Sequence, residues 1–249
     1  MNGEHASDRT VLKISGGDAR KFLQDLVTNN LDNQGLIYAA LLTPQGKYLF
    51  DFFLLEQDNH WLLDVKSDRA AALTGRLTMY RLRADVIIED SGLSVQRGLG
   101  AAPVGAVVDP RHADLGWRLY GTDAGIAADI DWDAIRVEHC IPETGIELIP
   151  DETYILEAGF ERLNGVDFKK GCYVGQEISA RMKHKTELRK GLASVEVEGT
   201  APVGTPITSN GKPAGALYTQ AGGIAIAYLR FNRAKGDLRA GDASVRLSA

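Results

Sequence analysis

The sequence is poor in the residues that most often announce a function. Two cysteines, Cys140 and Cys172, stand 32 positions apart in 249 residues and form no CxxC pair, which speaks against a disulfide framework and an all-cysteine zinc site. No stretch approaches the roughly 20 continuous apolar residues that a membrane span requires. Residues 1–9 carry Glu4, His5 and Asp8 and no apolar run, so no signal or transit peptide is expected. Basic charge is short as well: 28 Lys and Arg against 33 Asp and Glu give a net charge of −5. That total argues against direct nucleic-acid binding, which needs a basic footprint to displace counterions. Unpaired cysteines point to a reducing compartment, and a cytoplasmic location is expected. There is no GxSxG, no Gly-Lys-Ser phosphate loop, no HExxH and no dinucleotide fingerprint, so hydrolase, kinase and dehydrogenase readings lose their usual support.

What is present suits a globular chain. At 44% hydrophobic and 24% charged, the sequence can bury a sizeable core in one or two domains of about 100–200 residues each. Thr10 to Ser15 alternates Val11, Leu12 and Ile14 with polar neighbours and reads as a strand. Gly16-Gly17 breaks it, and Asp18 is placed to N-cap a helix whose Ala19, Phe22, Leu23, Leu26 and Val27 share one face. Asn29-Asn30 is a natural left-handed stop. Tyr38 to Leu42 and Tyr48 to Leu55 flank Thr43-Pro44-Gln45-Gly46-Lys47, the pattern of a hairpin, and His60 to Val65 is a third strand. Ser67 is a candidate cap for a helix with Ala70, Leu73, Leu77 and Tyr80 or Arg81 on one side. Strand, helix, three strands and helix is α+β logic.

Short strands follow at 86–88, 93–96, 104–108 and 117–120, with a weak helical segment at 132–139 and another at 178–184. After Arg189-Lys190-Gly191 the texture is brief strands between Gly-rich turns, the pattern of a small antiparallel barrel or sandwich. The boundary is placed near residue 188, dividing 1–187 from a C-terminal domain at 188–249.

Five places could carry chemistry. In Asp167-Phe168-Lys169-Lys170-Gly171-Cys172-Tyr173-Val174-Gly175-Gln176-Glu177, two lysines precede a thiol bracketed by glycines, and a helix is expected just past Gly175. Cations and helix N-termini favour a reactive thiolate; a small Cys packed under a turn is the commoner alternative. Cys140, next to His139, reads as a buried packing residue. Lys170, Arg181, Lys183, Lys185, Arg189 and Lys190, with His184 among them, form a local basic cluster that could hold a polyanion, or could be a solvated face. Met79-Tyr80-Arg81-Leu82-Arg83 offers a ring for stacking and guanidinium forks for carboxylates, and equally suits a helix end. Glu157 is an acid among apolar neighbours, placed to bond an amino-heterocycle or to cap a turn.

Lys170-Gly171-Cys172-Tyr173-Val174-Gly175-Gln176-Glu177 closely resembles the K-G-C-[FY]-x-G-Q-E signature of the YgfZ family, which includes mitochondrial iron–sulfur assembly homologues. Gly17-Asp18-Ala19 through Phe22-Leu23-Gln24 to Thr28-Asn29-Asn30 is similar to that family's opening motif. Leu42-Thr43-Pro44-Gln45-Gly46-Lys47 resembles its hairpin, and Tyr80-Arg81-Leu82-Arg83 its arginine-rich helix end. Arg181, His184 and Arg189 fall where it carries A-R-x-x-H and R-K positions. The resemblance runs in order over residues 10–249.

It implies a T-protein-like folate-binding fold, shared with the glycine-cleavage aminomethyltransferase: three subdomains in a cloverleaf, the last a small antiparallel β-barrel. The implied function is that of a tetrahydrofolate-binding accessory protein for iron–sulfur cluster assembly or repair. Its partners would be iron–sulfur assembly proteins or client [4Fe-4S] enzymes, tRNA-thiolating enzymes among them. The implied functional residues are Cys172 with Lys170 and Asp51. Folate contacts are implied for Tyr80, Arg81, Arg136, Glu138 and Glu157. The alternative is a tetrahydrofolate-dependent aminomethyltransferase. T-proteins carry G-G-x-x-D-D in the hairpin strand, whereas this chain reads Gly46-Lys47-Tyr48-Leu49-Phe50-Asp51, so one acid is replaced and Asp51 alone is left. A third reading, an RNA-binding adaptor using the basic cluster, has the acidic total against it.

Overall fold

The computed structural model describes residues 3–184 and 188–247. They divide into two compact units, one running up to Ile130 and resuming at Glu161–Gln176, the other formed by Asp131–Phe160 and the chain from Glu177 onward.

The first unit opens with β1 (Glu4–His5), β2 (Arg9–Ser15), α1 (Ala19–Leu26), β3 (Ile37–Leu42), β4 (Tyr48–Gln57), β5 (His60–Lys66) and α2 (Ser67–Arg81). It continues with β6 (Ile87–Asp90), β7 (Ser94–Gly98), β8 (Val107–Val108) and β9 (Trp117–Gly121). Strands β3-β4-β5-β2-β6 make one antiparallel sheet and β1-β7-β9-β8 a second. Alternation sorts the larger sheet's side chains. Leu12, Ile14, Ala39, Leu41, Phe52 and Leu63 meet Phe22, Leu23 and Leu26 of α1 and Leu73 and Leu77 of α2 in one apolar cluster. Each large side chain buried there contributes roughly 1.5–3 kcal/mol.

On alternate positions of the same strands the residues are Tyr38, Phe53 and Asp64, and the interior there is polar. Asp64 accepts from Arg9 Nε at 2.6 Å, Arg118 Nη1 at 3.0 Å and the Tyr120 hydroxyl at 3.0 Å. Asp109 accepts from Arg111 Nη2 at 2.8 Å and Arg118 Nε at 3.1 Å. Burial alone would raise the Asp109 carboxyl, but the Arg111 and Arg118 guanidiniums outweigh it and hold it at about 2. Phe53 lies under these cations, 4.1 Å from the Arg118 guanidinium carbon and 4.8 Å from that of Arg111.

The second unit holds α3 (Trp132–Glu138), most of α4 (Gln176–His184) and six strands: β10 (Lys190–Glu198), β11 (Thr205–Ser209), β12 (Lys212–Ala221), β13 (Ile224–Arg230), β14 (Leu238–Ala240) and β15 (Ala243–Leu247). The strands close into a barrel in the order β10-β13-β12-β11-β14-β15. Val195, Ile207, Leu217, Leu229, Leu238 and Val245 fill it. Residue 187, at the expected boundary, lies outside the described residues.

Several local expectations are corrected. Asp18 makes no side-chain cap to α1; its carboxylate accepts instead from the Asp85 amide at 2.8 Å. Helix α1 stops at Leu26 with an extended Val27, not at a left-handed asparagine. Ser67 is already inside α2, and its hydroxyl accepts from Thr10 Oγ1 at 2.9 Å. Cys140 is half-buried with φ +51, so it closes α3 rather than filling a core. In each case a partner distant in sequence, or a left-handed turn, decides the conformation.

Candidate functional site

The motif segment 164–176 is fastened to the end of α1 by polar contacts. The Thr28 hydroxyl donates to the Gly165 carbonyl at 2.7 Å and accepts from the Ala40 amide at 2.8 Å. The Thr28 carbonyl accepts from the Asp167 amide at 3.1 Å. Asn29 Nδ2 donates to the carbonyls of Tyr38 at 2.8 Å and Asn164 at 2.6 Å. Thr28 and Asn29 are thus a clasp joining strand, helix end and loop, a role the sequence offered only as part of a motif.

Lys170 completes the clasp. Its ammonium donates to the carbonyls of Gln24 at 2.7 Å, Val27 at 2.6 Å and Asn29 at 3.0 Å. Gln24 and Val27 are at the carboxyl end of α1, where carbonyls lack intrahelical partners and the helix dipole favours a cation. Burial lowers the Lys170 pKa to about 8, against the pull of Asp167 and Asp25. Two residues on, the backbone faces the other way: Gly171 and Cys172 are exposed, while Tyr173 is buried and Val174 packs against the apolar cluster. Gly175 has φ +82, and a Cβ there would lie 2.6 Å from the Thr43 carbonyl of the β3–β4 hairpin. Helix α4 begins immediately after it. Three segments remote in sequence, 24–30, 42–47 and 164–176, therefore converge to present one thiol to solvent.

This placement divides the expected site. Cys172 is exposed, as a reactive or ligating thiol requires. Lys170 shares its loop but points inward, so its cation serves α1. Asp51, on β4, is buried; it accepts from the Tyr38 hydroxyl at 3.0 Å and the Tyr48 hydroxyl at 2.7 Å. Burial, then the Asp51 charge, raises the Tyr38 pKa, keeping that phenol a donor.

The residues implied for folate are placed unequally. Tyr80 packs half-buried against the first unit's core, and the exposed Arg81 donates to the Val86 carbonyl at 3.2 Å. Glu138 is exposed at the end of α3. Arg136 is consumed inside the second unit. Its Nε donates to Asp133 at 2.7 Å, Nη1 to Glu147 at 3.1 Å and Nη2 to the Thr219 hydroxyl at 2.6 Å. The Thr219 hydroxyl in turn donates to Glu147 at 2.6 Å. A ligand carboxylate would have to displace these bonds, so Arg136 does not fit a folate contact. Glu157 fits better. It is buried, accepts from the Tyr228 hydroxyl at 2.7 Å on one oxygen, and has Lys190 Nζ at 3.7 Å from the other. Burial and the Glu157 carboxylate push the Tyr228 phenol up, so it too stays a donor.

The residues of the basic cluster are engaged in different ways. Lys170 is buried, Arg181 pairs with Glu177 at 2.6 Å, Lys190 lies beside Glu157, and Lys185 is outside the described residues.

Residues 189–249 match the family described as CAF17, C-terminal beta-barrel domain. Over most of the chain, the human protein named iron-sulfur cluster assembly factor IBA57, mitochondrial, is 32% identical across 277 residues, covering 92% of this chain and 78% of that protein. This chain belongs to the IBA57 family. The mouse member is likewise 32% identical, with the same coverage of both chains. The crystal structure of glycine cleavage system aminomethyltransferase T from Bartonella henselae superposes with a TM-score of 0.74 at 13% identity, over 99% of this chain and 86% of that one. The fold is therefore the T-protein fold. The cytoplasmic expectation is overturned, because these IBA57 relatives are named mitochondrial. Scarce cysteine does not say which compartment holds the chain.

Proposed function

We propose that this member of the IBA57 family serves iron–sulfur cluster assembly through the Cys172 thiol, supporting [4Fe-4S] client enzymes, including those that thiolate tRNA. The observation that carries the reading is a division of labour: Lys170, Thr28 and Asn29 fix the loop from inside, and the Cys172 thiol is turned out. One thiolate is too few for a cluster, which usually takes about four cysteine ligands. Cys172 thus acts as one ligand, or one transient thiol, toward a cluster shared with an assembly protein or client. Cys172→Ala is expected to fold normally and to lose rescue of [4Fe-4S] enzyme activity in a strain lacking the gene; full rescue overturns the thiol-centred reading.

Tetrahydrofolate is proposed as the cofactor, with Glu157 the residue that best suits its amino-heterocycle. Bound folate supplies a carrier for one-carbon units; Glu157 supplies buried carboxylate oxygens beside two donors, Tyr228 and Lys190. Tetrahydrofolate titrated into wild type, Cys172→Ala and Glu157→Gln should bind the first two alike and the third at least about tenfold more weakly, as for a lost charge-assisted bond.

A further inference from the structure

The barrel carries charge of the opposite sign to the rest of the chain. Residues 188–249 contain eight Lys and Arg against four Asp and Glu, whereas the whole protein has an acidic excess. Three of those cations line one concavity of about 650 Å³ together with Ser209, Asn210 and Pro213: Lys212 at the start of β12, and Arg233 and Lys235 from the β13–β14 connection.

The two turns are tied to each other. The Ser209 hydroxyl donates to the Lys235 carbonyl, the Asn210 amide to the Asp237 carbonyl at 3.4 Å, and Arg233 Nη1 approaches the Pro213 carbonyl at 3.5 Å. Asn210 holds φ +49 and Gly211 φ +77, the left-handed pair of a two-residue hairpin turn. The cations are therefore set on a braced rim. Among the described residues none of the three is within ion-pair distance of a carboxylate; the nearby Asp237 carboxylate lies 3.6 Å from Arg239 instead. Like charges crowded without counterions repel, and a concave wall focuses their field on whatever anion enters.

We infer that the Lys212–Arg233–Lys235 concavity is an anion site for the phosphate groups of a small phosphorylated ligand. Its volume falls in the range of about 300–1,000 Å³ of small-molecule sites and exceeds what one inorganic phosphate fills. Arg233 supplies a planar fork, and the two lysines supply point charges. The inference is independent of Cys172 and of folate.

Pyrophosphate titrated into the full chain by calorimetry at low salt tests it. Wild type should bind in a salt-sensitive way, and Lys212→Gln, Arg233→Gln, Lys235→Gln combined should weaken binding by at least about tenfold, with a melting temperature no lower than wild type because all three side chains are at the surface and their mutual repulsion is relieved. Absence of binding by wild type, or equal binding by the variant, overturns the site. Binding of a single-stranded RNA oligonucleotide that is lost in the variant, with none for pyrophosphate, overturns the small-ligand assignment.

Discussion

Lys170 in one unit and Arg136 in the other are almost equally buried, 6% and 5% exposed, yet they are held by opposite means. Arg136 meets carboxylates, Glu147 within the interior and Asp133 at its edge, and Thr219 closes a ring that includes the barrel. Lys170 meets backbone carbonyls at the end of α1 and has the Tyr173 ring 5.3 Å from its ammonium, with no carboxylate in the set. One cation is neutralised by a countercharge and the other is solvated by dipoles. The difference explains why Lys170 is lowered in pKa by burial: neutral carbonyls do not offset desolvation as a carboxylate does. It also assigns both residues to architecture. A buried cation already engaged through its head group is held by the fold rather than offered to a thiol or a ligand.

Removing the countercharged cation should cost more. Arg136→Met strands Glu147, 3% exposed, as a buried unpaired carboxylate, and an unfolding free energy lower by about 3–5 kcal/mol is expected in urea titration. Arg136→Lys should recover less than half of it, because one ammonium cannot reach Asp133, Glu147 and Thr219 together. Lys170→Met strands three neutral carbonyls instead, and a smaller loss of about 2–3 kcal/mol follows. If the Lys170 variant is the less stable of the two, the contrast between countercharge and dipoles fails.

Acid sharpens the same contrast. A cation paired with a carboxylate makes stability fall at low pH; one held by carbonyls does not. The clearest carboxylate is Asp109, held at about 2 against an ordinary 3.8 by Arg111 and Arg118 despite its burial. A lowered carboxyl contributes stability that is complete above its unfolded pKa and is lost as pH falls through the folded one. Between pH 4 and pH 2 the Asp109 interaction should therefore withdraw about 2 kcal/mol. In Asp109→Asn the acid limb should flatten by that amount, whereas in Lys170→Met it should keep the wild-type slope over the same window.

The sequence revealed elements wherever periodicity carried them. The apolar face of α1, the Pro-Gly hairpin at 43–47 and the barrel's alternating strands all follow from spacing, and all form. Strand β14, Leu238–Ala240, escapes because three residues are too few to show alternation. Side-chain direction escaped for a different reason. Asp18 looks like a cap until Asp85 takes its carboxylate, and Lys170 looks like a thiol's neighbour until the end of α1 takes its ammonium. Both partners lie more than 60 residues away, so no local window holds the information. The motif marks a segment, and the fold decides which of its residues face water.

That decision sets the smallest expected change in stability. Cys172 and the Gly171 before it are exposed, and the loop beneath them is fastened through Thr28, Asn29 and Lys170 rather than through the thiol. Cys172→Ser exchanges one small exposed group for another, and its unfolding free energy should stay within about 0.5 kcal/mol of wild type. A larger loss would mean that the thiol packs rather than projects, and the separation between anchor and presented group would collapse. With stability preserved, alkylation by iodoacetamide reads the presentation itself. Wild type should label at Cys172 in the folded state as fast as in urea to within about tenfold, since an exposed thiolate reacts without prior opening. Half-buried Cys140, at the end of α3, should label more slowly in the same sample.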